Sequence, residues 1–211
     1  MTGKLDQRIM GVAWLLAGLC GTASAQSLDR ITLNAPELSA GAYTWDAPDA
    51  RIEESLDPGD EIYGGILNLT PRGRPGGEYR VRVQFETSLG ISGEGPHVDL
   101  IDFRHCVSEW HIASSADGRR FTVPTPTDEE SGCVPRATPD EIRVAARKAL
   151  AGWSDTQETT EHWLGLIKDI QSPADSPMYS TISEIRIQVE ARVDGRWKPV
   201  TRLVFAVPMG C

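Results

Sequence analysis

Residues 182–208 read ISEIRIQVEARVDGRWKPVTRLVFAVP, the longest clean alternation in the chain. In an extended backbone Ile185, Ile187, Val189, Ala191 and Val193 fall on one side, and Glu184, Arg186, Gln188, Glu190 and Arg192 on the other. That period of two is the pattern of a strand with one dry face and one wet face. Asp194-Gly195 signals a turn, and Trp197–Val207 resumes as a second strand. A two-residue Asp-Gly loop would set Arg186 opposite Leu203 and Glu184 opposite Phe205, mixing polar and apolar side chains on one face. A three-residue loop, Val193-Asp194-Gly195, pairs Ala191 with Trp197, Ile187 with Thr201 and Ile185 with Leu203. It also gives Gly195 the left-handed position, and it is the expected register. An isolated hairpin is marginal in water, so other strands must cover the apolar side.

Glu78–Thr87 supplies the best candidate, with Tyr79, Val81, Val83 and Phe85 alternating with Arg80, Arg82, Gln84 and Glu86. It resembles 182–193 closely enough to be its neighbour or its counterpart in an opposed layer. Glu61–Thr70 reads as a strand weakened by Gly64-Gly65, and the Pro/Gly-rich 71–77 as a hairpin loop joining it to 78–87. Ile31–Asn34 is a short strand, and Tyr43 and Trp45 are core or edge aromatics. Asp46–Glu61 is read as a solvated acidic loop, because its seven carboxylates lack the spacing of a calcium loop. His97–Cys106 is a further strand. Glu109–Ile112 and Arg120–Val123 are expected to pair across Ser114–Gly118. Leu89–Gly95 is a loop in which Glu94 stands where a Gly-x-Ser-x-Gly elbow needs glycine. Pro124–Pro135 is an acidic loop closed by Cys133.

Helices come late. Thr138-Pro139-Asp140-Glu141 combines an N-cap, proline at the first helical position and a capping box. Ile142, Ala146, Ala149, Leu150 and Trp153 follow as one stripe. Thr160–Gln171 carries a second stripe, Trp163, Leu164, Ile167 and Ile170, and Ser172-Pro173 stops it. The expected fold is therefore one α+β domain over 26–211. It is mainly antiparallel β, a sandwich or curved sheet of about seven to nine strands, with helices near 139–152 and 160–171 inserted before a C-terminal hairpin.

The N-terminus reads as an export signal. Lys4 and Arg8 precede the apolar run Ile9–Cys20, and Ala23-Ser24-Ala25 forms a small-residue cleavage site, so residues 1–25 are expected to be removed and Gln26 to begin the mature chain. A lipoprotein reading founders on Leu19, which precedes Cys20 where a small residue is needed. The destination is periplasmic or secreted, and no later apolar run reaches spanning length. Lys4, Arg8 and Asp6 would leave with the signal, so the formal charge of −9 becomes −10. Such a surface argues against nucleic acid and anionic lipid as partners.

Cys106, Cys133 and Cys211 remain after cleavage, and an oxidising compartment makes one disulfide the default. Spacing does not choose among the three pairings. The leftover thiol is free or links two chains, giving a monomer or a Cys211-linked dimer. Metal-binding residue types are dense over 97–111. On a continuous strand His97, Asp99 and His105 would share a face, and His111 would return across a turn, a set suited to zinc with a position open to water. Against this, Ile101 and Phe103 share that face, and no His-x-x-x-His or His-Glu-x-x-His spacing occurs. The leading expectation is an exported non-catalytic module that binds a protein or glycan of the envelope or its surroundings. The alternatives are a small exported hydrolase using the His97–His111 region, and an envelope subunit dimerising through Cys211.

Overall fold

The computed structural model describes residues 27–73, 77–93, 97–152 and 157–209. The export signal, Gln26, Arg74 of the Pro/Gly loop, Trp153 and Cys211 lie outside them. The C-terminal ribbon is β11 (Met178–Val193) followed by β12 (Arg196–Ala206). Its turn differs from the expected one. Asp194 (φ 53°) and Gly195 (φ 75°) both sit in the left-handed region, and Arg192 pairs with Trp197. This is the two-residue loop whose twist suits a hairpin. The clash of faces it would cause is removed farther along. Glu190 pairs with Pro199 and Val189 with Thr201, leaving Val200 as an extra residue. Beyond that bulge Ile187 meets Leu203 and Ile185 meets Phe205. Proline, with no N–H to offer the ladder, is well placed at such a defect.

β11 pairs on its other side with β5 (Tyr79–Ser92), so the two strands of matching pattern are neighbours. The large sheet runs β3 (Arg51–Ser55), β12, β11, β5. Along the remaining edge of β5 lie β6 (His97–Asp99), β7 (His105–Val107) and β8 (His111–Ile112). All pairs are antiparallel except β3 with β12. β3 corrects the reading of 46–61 as loop throughout. Ile52 is its one large apolar residue, so hydrophobic pattern could not reveal it, and its charges suit an edge. β5 likewise absorbs Leu89–Ser92, expected to be loop.

The small sheet runs β2 (Ala42–Asp46), β1 (Leu28–Asn34), β4 (Ile66–Pro71), β10 (Arg120–Thr122) and β9 (Ser114–Ser115). β4 and β5 therefore lie in different sheets and are not the two arms of a hairpin. Both edges of β4 are already taken, by β1 and β10. Ser114–Ser115, rather than Glu109–Ile112, pairs with β10.

One apolar core joins the sheets. Ile31, Leu33, Leu67, Leu69 and Phe121 of the small sheet share it with Val81, Val83, Phe85, Ile185, Ile187, Val189, Leu203 and Phe205. Tyr43 and Trp45 stack at 5.7 Å and turn their edges to Phe205. Leu89 and Ile91 keep the parity of Val83 and Phe85 but enter a second core, with Val98, Leu100 and the helices α2 (Pro139–Leu150) and α3 (Gln157–Leu166). Thr138 and Glu141 close the expected capping box, and Ile142, Ala146 and Leu150 are buried. A short helix, α1 (Asp128–Ser131), interrupts the acidic loop behind a capping box of Thr127 and Glu130. The protein is thus α+β and mainly β, with more strands than expected because several have only two or three residues.

Cys106 and Cys133 form the disulfide, with Cα atoms 6.0 Å apart. The carbonyl of Cys133 also accepts hydroxyl hydrogen bonds from Thr87 of β5 and Ser180 of β11, each 2.7 Å. The segment around α1 is thereby fixed to the sheet by both covalent and polar links.

At Gly90 the ring of Tyr179 occupies the space a side chain would fill: an added Cβ would lie 2.3 Å from Tyr179 Cζ. The ring cannot easily retreat, since the one proton of its hydroxyl is shared between Asp99 Oδ1 (2.9 Å) and the Met209 carbonyl (3.1 Å). Gly90→Ala is expected to destabilise by about 1–3 kcal/mol through overpacking. Adding Tyr179→Ala should make the combined loss less than additive. Gly165→Ala, at an exposed helical position with nothing within 4 Å, should stabilise by about 0.5 kcal/mol. Urea denaturation of wild type, Gly90→Ala, Tyr179→Ala, their double variant and Gly165→Ala checks all three statements.

Candidate functional site

The residues singled out over 97–111 do not lie on one strand. β6 ends at Asp99, the chain turns with the Phe103 N–H donating to the Leu100 carbonyl (3.0 Å), and β7 begins only at His105. His97, Asp99 and His105 still share a face, since they pair opposite Ser92, Gly90 and Ser88 of β5, while His111, opposite Val83, falls on the other. At ~3.3 Å per residue these positions spread over roughly 30 Å of β5. Each histidine has its own carboxylate: Asp99 for His97 (3.4 Å), Glu86 for His105 (2.5 Å) and Glu130 for His111 (2.5 Å). His97 and Asp99 are brought together; His105 and His111 are placed elsewhere. Among the described residues no group of three or more His, Cys, Asp or Glu side chains could hold a metal ion.

His105 deserves a test as a catalytic base, because Ser88 and Glu86 both approach it. Both do so at the same ring nitrogen: Ser88 Oγ is 3.4 Å and Glu86 Oε1 2.5 Å from Nδ1. A serine relay needs the hydroxyl and the carboxylate on opposite nitrogens. Ser88 is also fully buried and hydrogen-bonded to Ser183 (2.7 Å). The cluster ties β5, β7 and β11 together and lacks relay geometry.

The wet face of the large sheet carries an ionic lattice. Glu190 of β11 takes hydrogen bonds from Arg80 and Arg82 of β5 and from Gln188. Arg186 bridges Glu86 and Glu184, which stand directly opposite each other. Arg202 donates to Gln188 (2.8 Å). Arg80 lies over Trp197 at 4.6 Å and Arg82 over Trp110 at 5.0 Å. Glu86, Gln188 and Glu190 are buried although no apolar residue of the sheet covers them in the sequence pattern. The long arginine and tryptophan side chains provide the cover. Burial alone would raise the Glu190 carboxyl. Hydrogen bonds from Arg80 and Gln188 and the charges of both arginines outweigh it and hold the group below its ordinary value. Glu130 is set the same way: burial raises it, but bonds from the Thr127 backbone and from His111 bring it lower.

A wide recess lies elsewhere, between the turn after β6 and helix α2. It encloses about 820 Å³ and is lined by Asp99–Phe103 on one side and Asp140, Glu141, Val144, Ala145, Lys148 and Ala149 on the other. The Arg104 guanidinium donates to Glu141 (2.8 Å), keying the turn to the start of α2. Ile101 and Val144 are 48% and 63% exposed, which is much for branched aliphatic side chains. Asp99 is fixed by Tyr179 and His97, Glu141 by its capping box and Arg104, and Asp140 by Arg143 (2.7 Å). Burial, then the hydrogen bond to Asp99, pushes the Tyr179 phenol well above its ordinary value, so it stays a donor. The lining holds apolar and charged side chains, with no Ser, Thr, Cys or His. It suits binding.

Half of this wall, residues 99–103, lies within the region the sequence marked. Val144 and Lys148 were missed. Val144 did leave a trace, as a branched apolar residue outside the Ile142, Ala146, Leu150 stripe. No protein-family model matches this sequence, and comparison with curated proteins and with solved structures finds no match.

Glu190→Gln keeps the shape but strips both arginines of their counter-charge. Loss of a partner from a buried pair costs about 3–5 kcal/mol. Arg80 and Arg82 remain about a quarter exposed, 28% and 27%, so a loss nearer about 2 kcal/mol is expected. A carboxyl depressed by folding contributes stability above its unfolded value, lost as pH falls through its folded value. Wild-type stability should therefore decline with acidification below the ordinary glutamate value of 4.5, and Glu190→Gln should show a shallower decline. Chemical denaturation across that acid range measures both slopes.

Proposed function

We propose that this chain is an exported, non-catalytic module that binds a protein of the cell envelope or its surroundings, and that the recess between residues 99–103 and α2 is the binding site. The exposure of Ile101 and Val144 in this recess carries the reading. Apolar side chains clustered at a concavity, rimmed by charge, are the usual composition of a recognition site. A protein segment is favoured over a glycan because Phe103 is the only aromatic ring in the lining and is itself half-buried. A sugar face would lack a flat platform. Export is supported by the segment 1–25 and agrees with a disulfide between Cys106 and Cys133. Among the described residues no helix is long and apolar enough to cross a membrane.

Two measurements test this. Immobilised protein should capture a partner saturably from envelope extract, and the double variant Ile101→Ser/Val144→Ser should lose at least tenfold in affinity. Its stability should stay within about 0.5 kcal/mol of wild type, since both side chains are largely exposed. Undiminished capture by the folded double variant would overturn the reading. N-terminal sequencing of the protein from its native cell should begin at Gln26; a retained 1–25 segment would remove export.

A further inference from the structure

We infer that the ligand of this recess is a basic amphipathic protein segment, an inference that rests on the groove reading just given and adds its charge. The lining carries four carboxylates, Asp99, Asp102, Asp140 and Glu141, against one ammonium, Lys148. The carboxylates are not equivalent. Asp99, Asp140 and Glu141 are engaged by Tyr179, Arg143 and Arg104 respectively. Asp102 is exposed and has no such partner among the described residues, so its charge faces the recess uncompensated.

Helix α2 orders these groups along its length. Asp140, Val144 and Lys148 are spaced by four and therefore stand in line on one helical face. At 1.5 Å per residue that line runs about 12 Å, acidic at the start, apolar in the middle and basic at the end. Across from it the turn presents Ile101 and Phe103 beside Asp102. A segment lying along α2 would place apolar side chains against Val144, Ile101 and Phe103. Its lysine or arginine would face Asp102 and Asp140. An acidic segment would meet the uncompensated Asp102 at close range and be repelled.

The probes are two synthetic amphipathic helical peptides with identical leucine positions, one with lysines on its polar face and one with glutamates. Each is titrated by calorimetry into the full chain at low and at high salt. The lysine peptide should bind at least tenfold more tightly at low salt, with the difference shrinking as salt screens it. Asp102→Asn should weaken the lysine peptide about two- to fivefold and leave the glutamate peptide unchanged or improved. Ile101→Ser/Val144→Ser should weaken both. Equal binding of the two peptides, still sensitive to the Ile101/Val144 change, would overturn the charge inference and leave the groove reading standing. Preference for the glutamate peptide would do the same. Binding of neither, or binding indifferent to Ile101 and Val144, would overturn both.

Discussion

A carboxylate almost shut off from water sits in the middle of the large sheet's charged face. Glu190 lies between Arg80 and Arg82, and its strand, β11, cannot shift along β5 without separating it from both. A similar constraint applies at Glu86 and Glu184, two like charges face to face that Arg186 reconciles. Desolvated charges of this kind add little net stability, but they penalise every register that leaves one unpaired. Apolar side chains on the opposite face would tolerate a slip of two residues; the ionic face would not. The pairing of the two long strands is thus specified twice, by packing on one side and by charge on the other.

What hangs on β5 follows from that fixed register. Its free edge receives three short strands in succession, each delivering a histidine to a different carboxylate. The disulfide then carries the chain from β7 back across the sheet to α1, where Cys133 is held by β5 and β11 together. From there the chain enters α2, which lies against β6. The recess is the gap between the turn leaving β6 and this returning helix. Both of its walls are therefore positioned by one strand pair.

Much of this framework was readable from residues alone, because each visible piece has a local cause. Alternation announced β5 and the C-terminal ribbon, and Thr138-Pro139-Asp140-Glu141 announced α2. Other pieces are set by partners distant in sequence. β3 has a single large apolar residue and becomes a strand only because β12 offers an edge. The two-residue Asp194-Gly195 turn conflicts with the face pattern until Val200, bulged beside Pro199, restores it; a defect of one residue leaves no periodic trace. The stretch 97–106 alternates well enough to pass for one strand, and the turn at 101–103 follows from the second core drawing in Leu100. The recess is the least legible feature. Its halves are some forty positions apart, and nothing in either predicts the other. Spacing leaves the union of Cys106 and Cys133 as one of three options, and the sheet is what brings them within reach.

Gly90 and Tyr179 form a single packing unit divided between two strands. The glycine supplies the vacancy, and the phenol fills it while tying β6 and the Met209 carbonyl to the sheet. Neither residue is meaningful alone. In any divergent copy of this chain the two positions should change in concert, a larger residue at 90 accompanied by a smaller one at 179. A new donor would then be needed to hold Asp99 at the wall of the recess. Joint variation at 90, 179 and 99 is thus the evolutionary signature by which relatives of this fold could be recognised when overall identity has faded.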